Sequence, residues 1–168
     1  MAPTVAFAAD GDDEAANTIS LADATETSGT CGAGDSEDSV KWNFNSSTGT
    51  LTISGTGKMS NLNNSTETEN ISDGAGTYPW ANLKDSITNI VINDGVTSIG
   101  SKAFIAYTNV TSVNIGKDVS EIGVGALSQL SACTTFNVSS ENSNFTTDTT
   151  GALFDLSLIH ISEPTRLA

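Results

Sequence analysis

Apolar residues recur along the second half of the chain at a fixed interval. Ile87, Val110 and Cys133 are 23 residues apart, as are Ile90, Val113 and Phe136, and again Ile92, Ile115 and Val138. Shorter echoes follow in Val96/Val119, Ile99/Ile122, Gly100/Gly123, Ala103/Ala126 and Phe104/Leu127. After Val138 the third copy loses the pattern. Agreement in chemical class over so many columns excludes coincidence. A unit of this length cannot bury its own apolar face, and does so only when neighbouring copies stack.

Each copy carries its own local signals. Ile90 and Ile92, like Val113 and Ile115, flank one intervening residue, which predicts a short strand whose inward side chains stack on the next copy. A turn follows at 93–95 and 116–118, then a second extended piece at 96–99 and 119–122. Gly100 and Gly123 mark a tight reversal where a Cβ is costly. Ser101 then precedes good helix formers, predicting a single helical turn over 101–107. The period also sets Asp94 beside Lys117, an expected surface ion pair worth at most about 1 kcal/mol.

Before the repeats the periodicity changes to two. Val40, Trp42 and Phe44 alternate with Lys41 and Asn43, and Leu51 and Ile53 alternate with Thr52 and Ser54. The intervening residues contain Gly49, so residues 40–54 read as a β-hairpin. Its apolar side, with Trp80, is expected to cover the open end of the first coil. The fold class predicted is a β-rich repeat solenoid of about 23-residue coils, with short parallel strands and helical turns, capped by this N-terminal hairpin. The period falls among leucine-rich repeats, roughly 20–29 residues.

Composition sharpens this picture. Ser, Thr and Asn make up 60 of 168 residues, a bias towards strands and turns and away from helical bundles. Twenty acids against six bases give a formal net charge of −14, so nucleic acid is excluded as a partner on electrostatic grounds. No apolar run is long enough for a membrane-spanning helix, and membrane insertion is not expected.

The two ends read differently. Ala6-Phe7-Ala8 is the pattern of a secretory cleavage site, so residues 1–8 are expected to be the remnant of a signal peptide. Nine acids and no base between residues 10 and 38 predict a disordered acidic linker over 9–30. Residues 31–85 then form the hairpin and capping segment, with a polar loop at 60–77, and residues 86–155 the repeats. Leu156-Ser-Leu-Ile-His-Ile-Ser-Glu-Pro-Thr-Arg166 resembles the translation of a transposase-type DNA-library adaptor. Residues 156–168 are accordingly read as a non-native tail, and the repeats as truncated.

Residues 87–104, Ile-Thr-Asn-Ile-Val-Ile-Asn-Asp-Gly-Val-Thr-Ser-Ile-Gly-Ser-Lys-Ala-Phe, closely resemble the repeat of BspA-like (Treponema-type) leucine-rich-repeat proteins. Upstream, Cys31-Gly32, Val40-Lys-Trp42, Thr48-Gly-Thr-Leu-Thr-Ile-Ser-Gly-Thr-Gly57 and Pro79-Trp80 are similar to the segment that often precedes such repeats. Residues 142–154, ending in Gly151-Ala-Leu-Phe154, resemble the family's looped insertion. Tyr107 and Leu130 depart from it, standing where Cys is frequent. The resemblance implies a noncatalytic, secreted or cell-surface bacterial module for adhesion, binding a host or neighbouring-cell protein or glycan.

Candidate chemistry is sparse. The single histidine, His160, and the single arginine, Arg166, both lie in the adaptor-like tail, leaving no base beside a Ser or Cys nucleophile. Cys31 and Cys133 have no metal-ligand spacing. They are open to a disulfide, although Cys133 occupies the Val110 column of the core. Neither a metal site nor a cofactor nor catalysis is expected. The candidate binding residues are those between the buried columns, forming the ladders Asn89/Ser112/Thr135, Val91/Asn114/Asn137 and Asn93/Gly116/Ser139. Their amides and hydroxyls suit glycan hydroxyls or peptide backbone. The alternative function is an accessory noncatalytic segment of a larger secreted enzyme whose catalytic domain lies outside this chain.

Overall fold

The computed structural model describes residues 27–61 and 78–157. The expected signal-peptide remnant, most of the acidic linker, most of the 60–77 loop and the tail from residue 158 lie outside the described residues.

A six-stranded sheet runs through the chain in the order β1 (Ser28–Thr30), β2 (Val40–Asn45), β3 (Thr50–Gly55), β5 (Asn89–Ile92), β7 (Ser112–Ile115) and β9 (Thr135–Val138). Strands β1 to β3 are antiparallel neighbours, and β3, β5, β7 and β9 are parallel. The 23-residue columns are physical rows: Ile90 pairs with Val113 and Val113 with Phe136, while Ile92 pairs with Ile115 and Ile115 with Val138. A smaller parallel sheet joins β4 (Gly57–Lys58), β6 (Val96–Ile99) and β8 (Glu121–Ile122). A hairpin of β10 (Phe145–Thr147) and β11 (Leu153–Asp155) follows.

Alternation explains which side is core. Val40, Trp42 and Phe44 are buried and Lys41, Asn43 and Asn45 exposed, as the period of two requires. Leu51 and Ile53 continue the same inner face and pair with Ile90 and Ile92. The expected 40–54 hairpin thus extends the sheet onto which the repeats stack. Trp80 seals the junction. It is fully buried, stacks on Tyr78 at 5.0 Å and Phe104 at 5.7 Å, and meets Trp42 edge-on at 5.9 Å. Its indole N–H donates to the Ala103 carbonyl.

Three expectations are corrected. The helical turn over 101–107 is instead a string of tight turns, because Lys102 and Ala106 take positive φ (56° and 58°), which interrupts helical geometry. This ribbon bonds to the next repeat: the N–H groups of Lys102, Phe104 and Ala106 donate to the carbonyls of Val124, Ala126 and Ser128. Gly125 and Gln129 repeat the positive φ 23 residues on. Second, Ser28–Thr30, assigned to the linker by composition, pairs with β2 as an edge strand. Third, the pattern survives beyond Val138, since Asn142 and Phe145 stand 23 residues after Val119 and Ile122 and are both buried. The expected cost of a Cβ at Gly100 and Gly123 is one of close approach. A Cβ on Gly100 would meet the Ser60 carbonyl and the Tyr78 hydroxyl, and one on Gly123 would meet the Ser101 backbone.

Both cysteines are free thiols, Cys31 buried and Cys133 half-buried against the core. Burial pushes the Cys31 thiol up to about 12 and raises Cys133 as well. Among the described residues no helix is long and apolar enough to cross a membrane.

Candidate binding face

The face opposite the core is built by the same alternation. Asn89 and Val91 on β5, Ser112 and Asn114 on β7, and Thr135 and Asn137 on β9 alternate with inward positions that are buried on β5 and β7 and half-buried on β9. Parallel in-register pairing aligns them into the rows Asn89–Ser112–Thr135 and Val91–Asn114–Asn137. Asn93, Gly116 and Ser139 follow at the strand ends, where Gly116 N–H donates to the Ile92 carbonyl and Ser139 N–H to the Ile115 carbonyl.

Two of the rows each contain one linked pair of side chains. Ser112 Oγ donates to Asn89 Oδ1 at 2.8 Å, and Asn137 Nδ2 donates to Asn114 Oδ1 at 3.0 Å. Asn89 Nδ2 donates in turn to the Thr88 hydroxyl at 3.1 Å. An amide that spends one group on its neighbour keeps another. Asn114 Nδ2 and Asn137 Oδ1 take no partner among the described residues, leaving one donor and one acceptor side by side on adjacent strands.

An open, shallow depression of about 610 Å³ lies over this surface. Val91, Asn93, Asn114, Asn137 and Ser139 line it. Asn89, Ser112 and Thr135, the remaining candidate residues, form the row beyond it. Asp94, expected only as an ion-pair partner, also lines the depression and is one residue that sequence reasoning left out of the face. Its carboxylate accepts the Lys117 backbone N–H at 2.9 Å, and Asp118 likewise accepts the Gly95 N–H at 2.8 Å. The expected Asp94–Lys117 ion pair is thus a hydrogen bond to the main chain. Lys117 Nζ turns instead to Glu141 at 3.8 Å, an exposed pair that adds little stability. A side chain at the head of the 93–95 turn faces the next repeat's N–H, and the 23-residue column was the signal for it.

A second missed residue anchors the end of the face. Asn142 is buried, and its Nδ2 donates to the carbonyls of Gly116 at 2.8 Å and Val119 at 3.0 Å. Its Oδ1 accepts the N–H groups of Asn144 and Phe145, both at 2.8 Å. The amide therefore ties the β10–β11 hairpin to the preceding repeat. Among the described residues no group of His, Cys, Asp and Glu side chains is placed to hold a metal.

The repeat match runs beyond these strands. The family described as BspA type Leucine rich repeat region (6 copies) matches residues 75–165, more than half the chain. The chain belongs to this BspA-type family. Among solved structures, it is similar to a leucine-rich repeat protein from Eubacterium ventriosum, at 19% identity and a TM-score of 0.45. That alignment covers 77% of this chain and 49% of the other, so the chain spans about half the length of that relative. No curated protein matches. The BspA-type match begins after β3, yet β3 pairs in parallel with the first matched strand β5. The sheet that carries the candidate face is therefore wider than the matched repeats.

Proposed function

We propose that this BspA-type chain is a noncatalytic binding module of a secreted, cell-surface bacterial protein, acting in adhesion to a host or neighbouring-cell protein or glycan. The repeats at 86–155 form a solenoid, and residues 31–85 cap its first turn. The exposed rows of its sheet make the contact. The observation that supports this reading is the register of Val91, Asn114 and Asn137 along the depression, with a donor and an acceptor left over on adjacent strands.

Such a surface binds by many weak neutral contacts. Each hydrogen bond exchanged with water nets only about 0.5–1.5 kcal/mol, so useful affinity comes from their number and from multivalent display. An extracytoplasmic setting accords with the Ala-x-Ala pattern at residues 6–8 and with the excess of acids.

The test is binding of the chain, displayed multivalently on beads, to epithelial cells and extracellular matrix. Asn114→Arg and Asn137→Arg each place a long charged side chain in the depression. Loss of binding with an unchanged melting temperature supports the reading. Unchanged binding by both folded variants removes this face as the site.

A further inference from the structure

We infer that the binding face continues across the N-terminal hairpin, and that its ligand is a neutral, linear, hydroxyl-rich glycan lying across the strands. This rests on the binding role proposed above and assigns it an extent and a ligand class.

The extent follows from register. Ser28 pairs with Asn43, Asn43 with Thr52, Thr52 with Val91, Val91 with Asn114 and Asn114 with Asn137. Paired residues of neighbouring strands share a face of the sheet. One row of outward side chains therefore crosses all six strands, from β1 to β9, although only the last three belong to the matched repeats. A second row runs from Asn45 through Thr50 and Asn89 to Ser112 and Thr135. Five steps of about 4.8 Å give a track about 24 Å long, matched to a polymer and not to a small molecule.

The ligand class follows from the chemistry of the track. Both rows hold Ser, Thr and Asn with Val91 as their sole apolar member, and no charged residue. Anchoring of a protein partner relies on aromatic and Arg side chains in apolar pockets. Here Trp42, Tyr78, Trp80, Phe104 and Tyr107 are all buried on the other side of the sheet. An anionic polymer meets a chain of net charge −14 whose two rows hold no cation, with Lys41 in the adjoining row of β2 as the single base beside them among the described residues. What remains complementary is a chain of neutral hydroxyls, each able to donate and accept as the Asn, Ser and Thr groups do. Its direction is set by the rows, perpendicular to the strands.

The experiment measures binding of the full chain to immobilised neutral hexasaccharides of gluco-, manno- and xylo-configuration, with oligomers of uronic acid as anionic counterparts. Binding to at least one neutral series and none to the uronates is expected. Thr52→Arg on the hairpin and Asn114→Arg on the repeats should each weaken it by roughly tenfold or more, the loss of one or two hydrogen-bonded contacts. Asn43→Arg, at an exposed position, repeats the hairpin test should Thr52→Arg not fold. If Asn114→Arg weakens binding and folded hairpin variants do not, the extension is overturned while the proposed function stands. If the chain binds no neutral hexasaccharide but binds a matrix protein through the same face, the glycan is overturned. If neither substitution alters any binding, both readings fall.

Discussion

Asn142 donates its side-chain amide to the carbonyl of Val119, the residue one full repeat before it. Val119 and Val96 fill that column with buried methyl groups, and at the third copy a polar residue takes over. It is tolerated because all four of its hydrogen-bonding directions are used, with the carbonyls of Gly116 and Val119 on one side and the N–H groups of Asn144 and Phe145 on the other. Asn142→Leu restores the apolar class of the column but strands those backbone groups. A loss of about 1–3 kcal/mol is expected, the cost of buried groups left unpaired. Denaturant unfolding measures it, and a variant as stable as the parent would show that the amide is not the tie.

Trp80 joins the two halves of the molecule. It touches the hairpin through Trp42 and the first repeat through Phe104, with no exposed surface of its own. Trp80→Ala should cost about 3–5 kcal/mol through lost burial and the cavity left behind. Against a total stability of about 5–15 kcal/mol, that leaves little margin. The discriminating measurement is hydrogen exchange. Loosening is expected in β2, which carries Trp42, and in its partner β3, together with the 101–106 turns that carry Phe104. Loosening confined to the hairpin would mean that the cap is separable from the repeats.

The repeats and the hairpin were legible in the chain because both rest on burial, and burial imposes a period that apolar residues display. Ile90 over Val113 over Phe136 could be read without coordinates. The 101–107 segment misled because Lys102 and Ala106 carry no outward sign of a left-handed backbone, and helix formers fill the turns of that ribbon. Asn142 was hidden for the opposite reason. A polar residue in an apolar column looks like the end of a pattern, and only its four partners show that it continues one. On the candidate face, the period ordered the rows correctly but stopped at the first repeat. The hairpin extends them with a period of two, which shares no 23-residue column with the repeats.

Asp148 organises the turn of the final hairpin. Its Oδ1 accepts from the Thr150 hydroxyl at 2.6 Å, the Thr150 N–H at 2.8 Å and the Ala152 N–H at 3.0 Å. These bonds, the Thr150 hydroxyl first, hold its pKa below the usual 3.8. A carboxyl depressed in the folded state stabilises it above the unfolded value, and that contribution is lost as pH falls below 3.8 through the lowered pKa. Thr150→Ala should therefore move the Asp148 titration midpoint up towards 3.8, followed by carbon-detected NMR. A midpoint unchanged in the variant would show that the hydroxyl does not set it.

Cys31 makes the opposite pH prediction. It is 5% exposed, beneath the edge where its N–H donates to the Val40 carbonyl and its own carbonyl accepts the Ser60 N–H. Burial raises the thiol from 9.0 to about 12, because a thiolate there would lose its hydration without gaining a partner. The unfolded chain thus ionises first. Between pH 9.0 and about 12 the folded state holds a proton that the unfolded state has released, so stability falls as pH rises across that window and is unaffected below it. Cys133 and Tyr107, also raised by burial, act in the same direction. Denaturant midpoints at pH 8 and pH 10.5 should show the decline in the parent and a shallower one in Cys31→Ala, whose residual slope includes the contributions of Cys133 and Tyr107. At pH 8 the folded chain should also react with a thiol-specific disulfide reagent at Cys133 before Cys31, which gains reactivity only on unfolding. An equal slope in Cys31→Ala, or rapid modification of Cys31 in the folded protein, would mean that the thiol is not held in the apolar setting described.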